Sequence, residues 1–140
     1  SGSTGDPELV HVPSSAIALN INDFLVRFDL THSDRILNVA PLTFDPALVD
    51  ILCAVRAGAT LIVAENETVR RPRALADLIR RSQPTWVQMT PTLLLRYGAR
   101  ELPTALRDCT ALRCLLLGGE RIPSHAALAP LFLQRMRIFN

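Results

Sequence analysis

Short apolar runs alternate with longer stretches of helical period along the chain, and this alternation restricts the fold more than any other feature. The clearest unit is "FDPALVDILCAVRAG" (44–58), followed at once by "ATLIVA" (59–64). Asp45 reads as the helix N-cap, Pro46 as the first helical residue and Gly58 as the stop just past the end. Leu48, Ile51, Leu52 and Val55 share one stripe, and the apolar run after them reads as a strand. The same grammar recurs. "SSAIALNINDFLVRFDL" (14–30) is a helix with Ile17, Ile21, Phe24, Leu25 and Phe28 on one face, and "RILNVA" (35–40) is a strand. Further helices are expected over 73–82, 90–98, 104–109 and 124–134, with strands over 8–12, 85–89, 112–117 and 135–139. "AENETVRRP" (64–72) reads as an exposed loop. Strands separated by helices pair in parallel through crossovers, so the expected class is α/β, a mostly parallel sheet with flanking helices.

Composition narrows the function classes. The chain has 140 residues, 49% of them apolar, which suits one domain around one core. No apolar run approaches the roughly 20 residues that span a bilayer, and no secretory signal is seen, so the expectation is a cytoplasmic protein with no membrane partner. The formal charge is +2, and every basic residue is Arg. The clusters at Arg70, Arg71 and Arg73 and at Arg80 and Arg81 read as solvated helix ends, and no nucleic-acid partner is expected. Three cysteines, Cys53, Cys109 and Cys114, form no CxxC pair and suit a reducing compartment. Cys109, Cys114 and His125 lack both the spacing and the fourth ligand of a zinc site, so no metal site is expected.

The opening "SGSTGDPELV" carries chemistry of its own. Glycines permit close backbone approach, consecutive N–H groups in such a loop make an anion-binding concavity, and Ser1, Ser3 and Thr4 add hydroxyl donors. The pattern suits a polyphosphate without being a Walker A loop, which requires Gly-Lys-Ser/Thr at its end. A flexible Ser/Gly segment has the same composition.

"SGSTGDP" also resembles the phosphate loop of the adenylate-forming superfamily. Three later stretches resemble that family in the same order: "PLTFDPALVDILCAVRAGATLIV" (41–63), "PTWVQMTPTLLLRY" (84–97) and "LRCLLLGGERIPS" (112–124). Within the superfamily the chain looks most like the β-alanine-activating branch, itself similar to the adenylation domains of peptide synthetases. The resemblance implies that residues 1–140 are part of an adenylation domain, a slice of its large N-terminal subdomain cut at both ends and inactive alone. The family's catalytic Lys lies outside this segment, so no catalytic residue is expected within it.

Roles follow from the resemblance position by position. Ser1, Gly2, Ser3, Thr4 and Gly5 would wrap the ATP phosphates. Asp45 would pair with a substrate amine and Phe44 would border the reacting carboxylate. Val49, Gln88, Leu116 and Gly118 would line the pocket for the rest of the acid. Gly119 and Glu120 would lie along the adenine, and Asn140 would bond its amino edge. ATP and Mg²⁺ are the implied cofactors, and a small amino or carboxylic acid the implied substrate. The acyl acceptor would be a thiol, either the phosphopantetheine of a carrier domain in the parent chain or CoA.

Each residue also has a structural reading: Asp45 as a helix cap, Val49 and Leu116 as core, Gln88 as a partner for a neighbouring backbone group, Gly118 and Gly119 as a turn. Glu8 stands where the family usually has Lys, with Leu9 following. A fatty- or aryl-acid–CoA ligase and a non-catalytic nucleotide-binding or scaffold domain are the alternative functions.

Overall fold

A computed structural model describes residues 9–95, 100–121 and 137–139. The elements run in the order α1 (Ser14–Phe28), β1 (Arg35–Asn38), α2 (Asp45–Ala57), β2 (Thr60–Val63), α3 (Asn66–Arg70), α4 (Pro72–Ser82), β3 (Trp86–Met89), α5 (Pro91–Leu95), α6 (Glu101–Asp108), β4 (Cys114–Leu117) and β5 (Arg137–Phe139). The strands form one sheet in the order β2-β1-β3-β4-β5, and every pairing is parallel. The α/β class read from the sequence is the class observed.

Period-two alternation divides the sheet between two cores. Leu37, Val39, Val87, Met89, Leu115 and Leu117 face one way and pack with Leu75, Ile79, Leu94, Leu102 and Leu106 from α4, α5 and α6. Ile36, Trp86, Cys114 and Leu116 face the other way and pack with Ile21 and Phe28 of α1 and Cys53 and Ala54 of α2. Phe28 is the hub of that second core, with its ring centroid 4.9 Å from Phe139, 5.2 Å from Phe24 and 6.2 Å from Trp86. Central strands buried on both faces need near-continuous apolar sequence, which is what "RILNVA" and "LRCLLL" supply.

Local grammar explains most boundaries. Gly58 ends α2 in the left-handed conformation at φ 69°, where a side chain would be strained. The start of α2 differs from the sequence expectation. Phe44 is the N-cap and Asp45 is already helical, and no side chain caps this end. Phe44 takes that place because its N–H closes a turn onto the Pro41 carbonyl at 2.9 Å, while its own carbonyl receives the first helical bond, from Ala47 at 3.0 Å. Asp45 still favours the helix through its charge in the first turn. Residues 9–12 form no strand, and the expected loop over 64–72 contains the short helix α3. The expected helix over 124–134, together with Glu8, Arg96–Ala99 and His125, lies outside the described residues.

One polar cluster fastens the amino ends of the strands. Arg113, just before β4, donates to both carboxylate oxygens of Asp34, just before β1, at 3.0 and 2.7 Å. Its other N–H groups reach the carbonyls of Phe28 and Asp29 at 2.7 Å, where a cation suits a helix C-terminus. Thr85, before β3, donates its hydroxyl to Asp34, and the Thr31 N–H adds a bond at 2.8 Å. Burial pushes the Asp34 carboxyl up, but these donors outweigh it and hold the group below the usual carboxylate range.

A second buried polar pair lies at the other end of β1. Asn38 Nδ2 donates to Asp50 Oδ2 of α2 at 3.0 Å, and both residues are 0% exposed. Burial, only partly offset by that bond, raises the Asp50 pKa to about 8.

These pairs make two expectations for unfolding of the intact protein. Arg113→Leu strands a buried carboxylate and should cost about 3 kcal/mol in urea denaturation, whereas Arg113→Lys should recover only part, because an ammonium cannot fork to both oxygens. An undiminished midpoint in Arg113→Leu would remove the cluster from the stability account. Asp50 acts in the opposite sense. Its carboxyl loses its proton near pH 3.8 when unfolded and near 8 when folded. Between those values the folded chain holds the extra proton, so stability falls as pH rises through the window and levels off above it. The stability of wild type minus that of Asp50→Asn should therefore drop by about 1.4 kcal/mol per pH unit through that window. A difference independent of pH would mean that Asp50 is ionised in the fold.

Candidate functional site

All five strands run the same way, so their carboxyl ends share one edge of the sheet. The chain leaves β1 toward β2 on one side and enters β3 on the other, so the strand order reverses between β1 and β3. In open parallel sheets the loops diverge at such a reversal and leave a crevice beyond the strand ends. A cavity of about 530 Å³ lies there. Val39, Ala40 and Pro41 line it after β1, Phe44 and Pro46 at the start of α2, and Gln88, Met89 and Thr90 at the end of β3. Val69 of α3, Leu93 of α5 and the run Gly118–Gly119–Glu120 after β4 complete the wall.

Local structure explains why these groups face the space. The turn from Pro41 to Phe44 holds Phe44 out of the core at 63% exposure. Gly119 sits at φ 79°, a conformation that favours glycine, and a Cβ there would stand 3.8 Å from Thr90 Cγ2. A Cβ at Gly118 would meet nothing within 4 Å, so that side of the strip is open. Glu120 reaches across to α5, where its Oε2 accepts the Thr92 N–H at 2.9 Å. Hydrogen bonds from the Thr92 hydroxyl and N–H, with Thr90 adding a smaller one, hold the Glu120 carboxyl below its ordinary range. Thr90 caps the same short helix from the other side, accepting the Leu93 N–H at 3.1 Å.

The residues singled out in the sequence divide into three groups. Phe44, Gln88, Gly118, Gly119 and Glu120 line the cavity together. Asp45, Val49 and Leu116 do not. Asp45 is exposed at the start of α2, Val49 packs half-buried against the α1–α2 core, and Leu116 belongs to that core. Leu116 is the register partner of Gln88, so the two still stand side by side on adjacent strands. Ser1–Gly5 and Asn140 lie outside the described residues.

Sequence reasoning passed over Asn38 and Asp50. Asn38 is the register partner of Gln88 on the neighbouring strand. Among the described residues, Asn38 Oδ1, Asp50 Oδ1 and Gln88 Oε1, like Trp86 Nε1, are buried polar atoms without a hydrogen-bond partner. The signal was present: an Asn inside "RILNVA" and an Asp inside "ALVDILCAV" each interrupt an apolar run. Cys109 and Cys114 are buried thiols whose pKa burial raises, Cys114's to about 11. No helix among the described residues is long and apolar enough to cross a membrane.

Comparison with known proteins identifies the family. Residues 1–137 match the family model described as AMP-binding enzyme. The human β-alanine-activating enzyme is 42% identical over 130 residues, covering 91% of this chain and 12% of its own length. A dimodular nonribosomal peptide synthase from Bacillus subtilis is 36% identical over 124 residues, covering 89% of this chain and 5% of its own. Among solved structures, the O-succinylbenzoate coenzyme A synthetase of Bacillus subtilis in complex with AMP superposes with a TM-score of 0.73 at 25% identity, over 92% of this chain and 25% of that one. The chain thus spans a small part of each relative's length, and within that part it belongs to the family of AMP-binding enzymes.

Proposed function

We propose that this chain is part of an AMP-forming acid–thiol ligase, and that its cavity receives the acid and the adenylate formed from it. The observation that carries the reading is the joint placement of Phe44, Gln88 and the bare Gly118–Gly119 strip around one space at the β1–β3 reversal. A strip without side chains lets a planar base lie flat against backbone. Phe44 offers an aromatic wall near the reacting carboxylate. Gln88 also lines this space, and its side-chain amide would put a polar group in the wall facing the acid. The reaction joins the acid's carboxylate to the α-phosphorus of ATP and releases pyrophosphate. Mg²⁺ would neutralise the phosphates, with Ser1–Gly5 as the loop that holds them. A thiol, from carrier-bound phosphopantetheine or from CoA, would then take the acyl group and release AMP. The protein's share of such chemistry is positioning and charge neutralisation.

The acid we favour is a small amino acid of the β-alanine kind. Asp45 would pair with its amine, since a desolvated ammonium requires an anionic partner. Asp45 stands between Phe44 and Pro46, both of which line the cavity. A second reading draws on Asp45's exposure and its absence from the cavity lining: a carboxylic acid without an amine, activated for transfer to CoA.

ATP–pyrophosphate exchange by the intact enzyme over a panel of amino and simple carboxylic acids separates these readings, and exchange with no acid at all would leave a nucleotide-binding domain without ligase activity. Asp45→Asn sharpens the choice. No side-chain cap bond is lost, so the melting temperature should stay near wild type. Because Asp45 is exposed, a pair with it stays partly solvated, so catalytic efficiency for the amino acid should fall about fivefold, with its deaminated analogue far less affected. Unchanged amino-acid activation would move the assignment to the second reading.

A further inference from the structure

Two loops meet at one wall of the cavity. The first follows β3 and enters α5 through Thr90, which lines the cavity and caps the helix by accepting the Leu93 N–H. The second follows β4 and carries Gly118, Gly119 and Glu120. The Gly118 N–H reaches the Met89 carbonyl at 3.2 Å, and beyond this bond the glycine strip has backbone freedom that no side chain limits. Glu120 removes that freedom at the far end. Its carboxylate accepts the Thr92 N–H, one of the donors that a helix start leaves unsatisfied. The strip is therefore held at both ends against the loop it faces, once by backbone and once by a side chain. This carboxylate is committed to the Thr92 N–H and so is turned toward α5.

We propose that Glu120 is a positioning residue for nucleotide binding: by bonding the first turn of α5 it fixes the Gly118–Gly119 strip as a flat backbone surface for the base, without touching the base's amino edge. The inference rests on reading the cavity as an adenylate site and adds to it how the surface is held. It also revises the expectation that Glu120 itself lies along the adenine. A free loop would have to be ordered each time a nucleotide bound, whereas a fastened one meets the nucleotide already in place. Removing the carboxylate should weaken nucleotide binding while leaving the acid's part of the cavity intact. Glu120 is exposed, so truncating it removes no core packing.

The test is steady-state exchange kinetics on the intact enzyme with Glu120→Ala and Glu120→Gln. Glu120→Ala should raise KM for ATP about tenfold, with KM for the acid and the melting temperature close to wild type. Glu120→Gln keeps a neutral acceptor and should fall between the two. Purine riboside triphosphate, which lacks the amino group of ATP, separates positioning from contact. A positioning role predicts the same fold loss for both nucleotides in Glu120→Ala. A loss confined to ATP would mean that Glu120 bonds the amino edge directly, and would overturn the proposal. So would an unchanged KM for ATP, or equal rises in KM for ATP and acid. Calorimetric titration of Glu120→Gln with AMP gives a second measure if the alanine variant is not recovered folded, and wild-type affinity there, without even a partial loss, would also count against the role. If the wild-type enzyme exchanges pyrophosphate with no acid and binds no AMP, the adenylate reading falls and this inference with it. If wild type is active and the variants behave as wild type, the adenylate reading stands and only the role of Glu120 is lost.

Discussion

The Asp34–Arg113 pair is the constraint on which the rest of the sheet depends. A parallel strand pair has no hairpin to hold its register, so the strand ends must be fixed by contacts between residues far apart in sequence. Asp34 and Arg113 are 79 positions apart, and Thr85 lies between them. Together they tie the starts of β1, β3 and β4 to one another and to the last carbonyls of α1. The Asp34 carbonyl also receives the Thr60 N–H as the chain enters β2, and the Arg113 carbonyl receives the Arg137 N–H as it enters β5. Every strand therefore begins at or beside this cluster. With one edge held, side chains at the opposite edge are placed by strand length and direction alone. That opposite edge carries the cavity.

The two ends of the sheet differ in how their polar groups are satisfied. At the amino end Asp34 is fully supplied with donors, including a cation, and stays ionised. At the carboxyl end Asp50 has one neutral donor, Asn38, and its pKa is pushed up to about 8. A satisfied buried network rigidifies, while an unsatisfied one costs free energy. Asn38 Oδ1, Asp50 Oδ1 and Gln88 Oε1 are buried without a hydrogen-bond partner among the described residues at the carboxyl edge, whereas the Asp34 carboxylate at the amino edge is bonded through both oxygens. The thiol of Cys53, one turn beyond Asp50, has its pKa raised to about 12, by burial first and then by Asp50's charge, so it adds no nucleophile there.

Much of this was legible in the chain because local rules and tertiary packing agree. Pro46 and Gly58 bracket α2, and the apolar strand cores of "RILNVA", "ATLIVA", "TWVQM" and "LRCLLL" fall where the strands are. Strand order was not legible, because no local pattern states that β1 lies between β2 and β3. Nor was the partner of Arg113, because no local pattern links it to Asp34, 79 positions away. The helix α3 escaped notice because five residues carry too little apolar period to show. For the cavity, the resemblance supplied some lining residues and also named Val49 and Leu116, which pack in the core instead. Phe44, Gln88 and the glycines were singled out by the family resemblance, whereas Val39, Met89 and Leu93 look like any core residue and line the space only because strand and helix ends leave them there.

Asp45 and Asp50 show how one helix serves both sides of this design. They are five positions apart, which on a helix of 3.6 residues per turn turns the second about 140° from the first. Position 50 therefore faces the sheet when position 45 faces outward, and the burial follows: Asp50 is fully enclosed and Asp45 is exposed. The same chemical group is, at one position, a buried carboxyl bonded to Asn38 and mostly protonated at neutral pH and, at the other, a side chain open to water. Asp50 is enclosed by protein with Asn38 as its partner, whereas Asp45 lies open to water between Phe44 and Pro46, which line the cavity. Rotation along α2, rather than the residue type, decides which carboxyl is enclosed in the scaffold and which stays open to solvent.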